Sequence, residues 1–230
     1  MQTILLLHGA IGSAEQLARI ADGLQPHFKV YTLNFAGHGG RQIPDEPLSI
    51  ELFAGEVIRF MAAEGLEKIN VFGYSMGGYV GMYLAKHFPD KLSHLITLAT
   101  KFEWDEAIAA YEVRNLDPEK TELKVPEFAE SLRQLHVPGD WKKLMVKTAE
   151  MMTGIGLQNP VVAVDYKTIN LPVMLLLGDR DKMVTLGETL EVYKLLPNAR
   201  MAILPFTGHP VEQVDAETIA LLVRKFIKKN

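Results

Sequence analysis

Apolar residues recur along this chain in two rhythms. Short unbroken aliphatic runs alternate with stretches whose apolar positions fall three or four residues apart. The first rhythm marks strands buried on both faces and the second marks amphipathic helices. Their alternation is the pattern of βαβ units around a parallel sheet. Ile4–Leu7 reads as the first strand. Ser13 is placed to cap a helix over Ala14–Leu24, with Gln16 at the reciprocal capping position. Lys29–Phe35 is the next strand, followed by a loop rich in Gly and Pro. Ser49 caps a helix running to about Glu64, with Leu52, Phe53, Val57 and Phe60 on its apolar face.

Beyond Gly65 the pattern predicts a strand over Lys68–Phe72, a helix over Met76–His87 stopped by Pro89, and a strand over Ser93–Ala99. Further on come a strand over Leu171–Leu177, a helix over Thr185–Leu196, a last strand over Arg200–Leu204 and a C-terminal helix over Glu212–Ile227. That helix turns Val214, Ile219, Leu222, Val223 and Phe226 inward. The stretch 102–167 breaks the rhythm. It is too long for a plain crossover and improbable as a structureless loop. Phe128, Leu132 and Leu135 lie at helical spacing in it, as do Trp141, Met145 and Met152. The organisation expected is a core built from 1–101 and 168–230, with 102–167 as an inserted helical cap. The apolar residues of that insertion either form its own core or line a pocket over the site.

Composition narrows the class without naming a chemistry. The 230 residues suit one α/β domain with an insertion. Net charge is −4, against a nucleic-acid or polyanion partner, which would want a basic face. There is no cysteine, which removes disulfides, thiolate nucleophiles and cysteine-based metal sites together. The opening apolar run is four residues long and stops at His8, short of a signal peptide. No run approaches the roughly 18 apolar residues of a membrane span. A cytoplasmic protein with no membrane partner is expected.

Candidate chemistry sits in the loops that follow strands. Gly73-Tyr74-Ser75-Met76-Gly77 matches G-x-S-x-G between a strand and a helix. The chain must turn sharply there, which leaves the serine strained and exposed, and the flanking positions must be small. The helix N-terminus adds a positive dipole end that favours a developing anion. His8-Gly9-Ala10-Ile11-Gly12-Ser13 follows the first strand and offers the Ala10 N–H beside that of Met76 as an oxyanion-binding pair. His8 itself reads as a structural residue that holds the loop.

A serine hydroxyl needs a base of near-neutral pKa. Of seven histidines, His209 lies in a loop at the carboxyl edge of the sheet, where Ser75 also lies. His38 is its one rival. Gly178-Asp179-Arg180-Asp181 follows the aliphatic strand, and Asp181 is chosen to orient His209, with Asp179 closing the loop. Glu103 and Asp105 are rival acids. Ile11, Tyr74, Trp104, Trp141 and Met145 are candidates for a substrate pocket.

These segments together, His8-Gly9 with Gly12-Ser13, Gly37-His38-Gly39, Gly73-Tyr74-Ser75-Met76-Gly77-Gly78, Gly178 with Asp181 and Val184, and Gly208-His209, resemble the α/β-hydrolase superfamily over nearly the whole chain. The resemblance implies a mostly parallel twisted sheet with helices on both faces and a helical cap. It implies Ser75 as nucleophile, Asp181 as acid, His209 as base, the amides of Ala10 and Met76 as oxyanion hole, and no metal or organic cofactor. The family usually has a strand hairpin ahead of the His-Gly loop. Here seven residues precede it, so about six strands are expected, with a sheet edge open to a possible homo-oligomer. Asn34 stands near the place of a common family Asp. The implied reaction is hydrolysis of a small hydrophobic carboxylic ester. Thioester, lactone and C–C bond hydrolysis use the same triad, and a ligand-binding receptor of this fold is the alternative outside catalysis.

Overall fold

A computed structural model describes residues 1–229. Six strands form one sheet: β1 (Thr3–Leu7), β2 (Lys29–Leu33), β3 (Ile69–Tyr74), β4 (Leu92–Leu98), β5 (Val173–Gly178) and β6 (Ala199–Leu204). Their spatial order is β2-β1-β3-β4-β5-β6, and all five pairings are parallel. The strand count and architecture expected from the sequence therefore hold, with no antiparallel pairing among the described residues.

The period-two alternation of strand side chains divides the core into two layers. Leu5, Leu7, Val71, Leu95, Val173 and Leu175 face one side, which is covered by α2 (Ile50–Ala63), α3 (Met76–His87) and α9 (Leu186–Leu195). Ile4, Leu6, Phe72, Ile96, Met174 and Leu176 face the other, covered by α1 (Ala18–Leu24) and α10 (Ala216–Lys229). Strands buried on both faces have no polar side to show. This is why they read as unbroken aliphatic runs rather than as alternation.

Several boundaries differ from the sequence reading, each for a local reason. β2 stops at Leu33, and Phe35 belongs to the following loop, fully buried with its ring stacked on Phe53 at 4.7 Å. Its hydrophobicity serves packing, not the strand. The first helix opens with a 3-10 turn, Ala14–Leu17, closed by the Ser13/Gln16 capping box. The C-terminal helix begins at Ala216 after a separate 3-10 turn, Val211–Gln213.

Between β4 and β5 lie α4 (Glu106–Glu112), α5 (Pro118–Lys124), α6 (Pro126–His136), α7 (Trp141–Leu157) and α8 (Ala163–Tyr166). Asp105, Asp117 and Asp140 cap α4, α5 and α7 by accepting from amides of the first turn. α6 buries Ala129, Leu132 and His136 and leaves Phe128 46% exposed, so its inward face is rotated from the one read in the sequence. Among the described residues no helix is long and apolar enough to cross a membrane.

The strand order reverses between β1 and β3. Loops leaving the carboxyl ends of neighbouring strands diverge at such a switch point and open a crevice. The loops after β1 and β3 are the two that carry Ala10 and Ser75.

Candidate active site

β3 delivers Ser75 into a turn that forces the residue to φ +50°, where a side chain other than glycine's is strained. The turn is pinned on several sides. The Ser75 N–H donates to the Leu98 carbonyl at 2.8 Å, and the Ser75 carbonyl accepts from Gly78 N–H and from the Thr100 hydroxyl, at 3.0 and 3.1 Å. A Cβ at Gly73 would run into the Gly77 carbonyl, and one at Gly77 into the Leu7 carbonyl of β1. Only glycine lets the turn close this tightly and α3 lie this close to the sheet.

His209 reaches Ser75 from the loop after β6. Its Nε2 lies 3.3 Å from Ser75 Oγ, and its Nδ1 lies 2.9 Å from Asp181 Oδ2. The Ser–His contact is at the long end of the range, as such contacts often are before substrate closes on them. The Asp181 side chain is fully buried. Its other oxygen accepts from the N–H groups of Met183 and Val184, at 2.8 and 2.9 Å. Burial pushes the carboxyl up. The hydrogen bond from His209 and those two amides outweigh it, so its pKa lies below the usual carboxylate value.

The alternatives lie elsewhere. Asp179 accepts from the Thr207 N–H at 3.1 Å and ties the two loops together. Asp105 caps α4, and Glu103 is exposed. His38 is fully buried, its Nδ1 donating to the Ala36 carbonyl at 3.0 Å.

The loop after β1 abuts Ser75. A Cβ at Gly9 would sit 3.3 Å from that of Ser75. His8 is buried, and its Nδ1 donates to Gly9 O at 2.7 Å while its Nε2 accepts from Phe35 N–H at 3.1 Å. Burial lowers its pKa to about 4, so it stays neutral with its proton on Nδ1. The Gly9 carbonyl also accepts from Gly12 N–H at 3.2 Å. In a trans peptide the carbonyl and the next N–H point opposite ways, so these bonds also fix the direction of the Ala10 N–H. Among the described residues neither Ala10 N–H nor Met76 N–H donates to a protein acceptor. Asn34 anchors this region too, its Oδ1 accepting from Ala14 N–H at 2.7 Å.

Ser75 and His209 open onto a narrow cleft. Its walls are mainly Ile50, Met76, Tyr79, Met151, Ile155 and Val184, with Trp104 among them. The other expected pocket residues sit differently. Trp141 and Met145 pack with Ala129 and Leu132 in a separate small core of the helical segment, against Ile11. The Ile11 carbonyl accepts from His136 Nε2 at 3.0 Å. Tyr74 points to the far side of the sheet, and its hydroxyl donates to the His209 carbonyl at 3.1 Å. It supports His209 from behind. Met151 and Ile155 went unnoticed in the sequence, although their four-residue spacing on α7 carries the signal. Lys101 and Glu112 also line the cleft, and no motif marks them.

Comparison with known proteins bears on the family and the fold. The sequence pattern described as alpha/beta hydrolase fold matches residues 2–119. A Caulobacter sp. (strain K31) protein provisionally named carbamate hydrolase RutD is 26% identical over 245 residues, spanning 98% of this chain and 90% of that one. The structure of MenH from S. aureus superposes with a TM-score of 0.80 at 22% identity, covering 99% of this chain and 94% of that one. The enol-lactonase of Burkholderia xenovorans LB400 does so at 0.77 and 20%, covering 99% and 91%. The match over the half of the chain that holds Ser75, and a fold shared over nearly the whole chain with these structures, lead to one assignment: the chain belongs to the alpha/beta hydrolase fold family and is an enzyme of that family.

Proposed function

We propose that the chain is a serine hydrolase that cleaves a small carboxylic ester through an acyl-enzyme on Ser75. One observation carries the reading: Ser75 Oγ, His209 and Asp181 form a continuous hydrogen-bonded line, with contacts of 3.3 and 2.9 Å, at the edge of an apolar cleft. Asp181, ionised and buried, holds the Nδ1–H tautomer of His209, which leaves Nε2 free to accept a proton.

In the reaction, His209 takes the Ser75 proton as Oγ attacks the ester carbonyl. The carbonyl oxygen becomes an oxyanion that accepts from the N–H groups of Ala10 and Met76, a type of donor worth about 3 kcal/mol of barrier each. The imidazolium then gives its proton to the leaving alkoxide, and the alcohol departs. Water, deprotonated by His209, attacks the acyl-enzyme, and collapse of the second tetrahedral intermediate returns the proton to Ser75 and releases the acid. In this reading 102–167 is a cap: Trp104, Met151 and Ile155 roof the cleft with apolar surface and favour a hydrophobic substrate.

The test is turnover of p-nitrophenyl esters of graded chain length by the wild type and by Ser75→Ala. The wild type is expected to turn over the short and medium chains, and Ser75→Ala to fall by about 10⁴-fold or more. Equal rates for the two proteins would take Ser75 out of the reaction. Tight binding of ester analogues without turnover would make the chain a receptor.

A further inference from the structure

The turn that carries Ala10 is held in an unfavourable shape from outside itself. It runs from Gly9 to Gly12 and closes with the Gly12 N–H on the Gly9 carbonyl at 3.2 Å. Ile11 takes its third position, at φ +48°. Glycine or asparagine normally fills such a place, and a β-branched side chain there is a genuine backbone outlier. A strained residue of this kind persists only where its surroundings over-determine it. Two contacts do so here, and both come from the helices between β4 and β5. The Ile11 side chain packs against the cluster of Ala129, Leu132, Trp141 and Met145 on α6 and α7. The Ile11 carbonyl accepts from Nε2 of His136, the last residue of α6, at 3.0 Å.

His136 is buried, and both its ring nitrogens are committed. Nε2 donates to Ile11, and Nδ1 accepts from the Gly39 N–H at 3.1 Å, in the loop after β2. Burial lowers the ring's pKa, so it stays neutral, and these partners place its one proton on Nε2. The bond to Ile11 reaches further, through two peptide planes. In each trans peptide the carbonyl and the N–H point opposite ways. Holding the Ile11 carbonyl therefore aims the Gly12 N–H away from His136 and onto the Gly9 carbonyl. The Gly9 carbonyl in turn fixes the Ala10 N–H on its opposite side, in a loop where a Cβ at Gly9 would lie 3.3 Å from that of Ser75. His8 Nδ1 donates to the same Gly9 carbonyl at 2.7 Å, so one histidine grips each end of the turn.

We propose that α6 and α7 position the Ala10 N–H for the oxyanion, with His136 as the positioning residue and Ile11 as the point at which they hold the turn. His136 acts through the backbone and not on the substrate, since it does not line the cleft with Ser75. An oxyanion donor is effective only when it is aimed before the charge develops. A loosened turn therefore costs kcat and leaves substrate binding nearly untouched. The helices between β4 and β5 thereby serve the chemistry as well as the walls of the cleft. The inference rests on the proposed esterase reaction and adds to it what aims one of its two oxyanion donors.

The experiment measures kcat and KM for p-nitrophenyl butyrate, inhibition by a trifluoromethyl ketone that forms a tetrahedral oxyanion on Ser75, and Tm. It does so in the wild type, His136→Gln, His136→Asn and Ile11→Ala. The glutamine amide carries an N–H where His136 has Nε2, and the asparagine amide carries an oxygen where it has Nδ1. Of the two, glutamine alone can keep the bond to Ile11. His136→Asn is expected to lower kcat about tenfold, less than the loss of a whole oxyanion donor, with KM changed by less than about twofold. Affinity for the ketone should fall by about the same factor as kcat/KM. His136→Gln should keep at least about half of kcat, and Ile11→Ala should fall in the same way as His136→Asn. If His136→Asn does not fold, the decision passes to Ile11→Ala. A kcat unchanged in these variants, equal losses in His136→Gln and His136→Asn, or a loss confined to KM or Tm overturns the inference while leaving Ser75-dependent turnover intact. A wild type that does not turn over the ester would instead sink the esterase reading, and this proposal with it.

Discussion

Asp179 and Asp181 leave the same turn two residues apart and do different work. Asp181 accepts from His209, Met183 and Val184, and Asp179 accepts from Thr207 N–H. Removing the charge at 181 leaves His209 without a partner to hold its tautomer, whereas at 179 it loosens one loop contact. Asp181→Asn is therefore expected to lower kcat by about 10⁴-fold and Asp179→Asn by far less. Steady-state rates on one good ester check this, and the reverse ranking would hand the acid's role to Asp179. At this scale the sequence was informative where a residue's place relative to a strand end fixes its neighbours. Ser75, Asp181 and His209 each follow a strand into a short loop, so one sheet edge collects them. Tyr74 and Glu112 were opaque for the opposite reason. Tyr74 is one residue from Ser75, yet the strand's alternation sends it to the other face. Glu112 reaches the cleft beside Lys101, a neighbourhood that spacing does not reveal.

The turn from β3 into α3 depends on backbone atoms meeting where side chains would normally keep them apart. A methyl at Gly77 meets the carbonyl of Leu7, and both belong to the packed centre of the sheet. Gly77→Ala is expected to lose at least about 2 kcal/mol of stability or to fail to fold, since buried backbone has no room to yield. Gly154 provides the contrast. It lies within α7, exposed, with nothing within 4 Å of an added Cβ. Gly154→Ala should gain about 0.5–1 kcal/mol from helix propensity alone. Urea unfolding of the two variants tests the opposite signs together. The core helices were legible because their apolar stripe faces a sheet that the strands already locate. The helices between β4 and β5 were legible as helices, but not in direction. Periodicity gives a stripe without saying whether it faces a neighbour or the cleft. Trp141 and Met145 therefore pack among themselves and their neighbours, while Met151 and Ile155 on the same α7 reach the cleft.

Across the whole molecule, the loops after β1 and β2 and the end of α6 meet around three buried histidines. His8 and His38 rings lie 4.9 Å apart, and His38 and His136 rings 6.0 Å apart. Burial lowers all three pKa values, His8 to about 4, His38 well below the ordinary value and His136 more mildly. Below pH 6.5 the unfolded chain takes up protons that the folded chain refuses, so stability falls as pH drops through that window. From His8 alone the loss between pH 6.5 and 5 is about 1.5 kcal/mol. Denaturant unfolding at the two pH values reads it directly, and equal stabilities would mean that these rings protonate without unfolding. The Ala10 loop and the His209 loop both meet the turn at Ser75, and the account of function stands or falls on their acting together. The most direct measurement is mass-spectrometric mapping of a fluorophosphonate adduct. The account predicts one adduct, on Ser75, lost in Ser75→Ala and formed much more slowly in His209→Ala. Labelling at another residue, or equally fast labelling without His209, would contradict it.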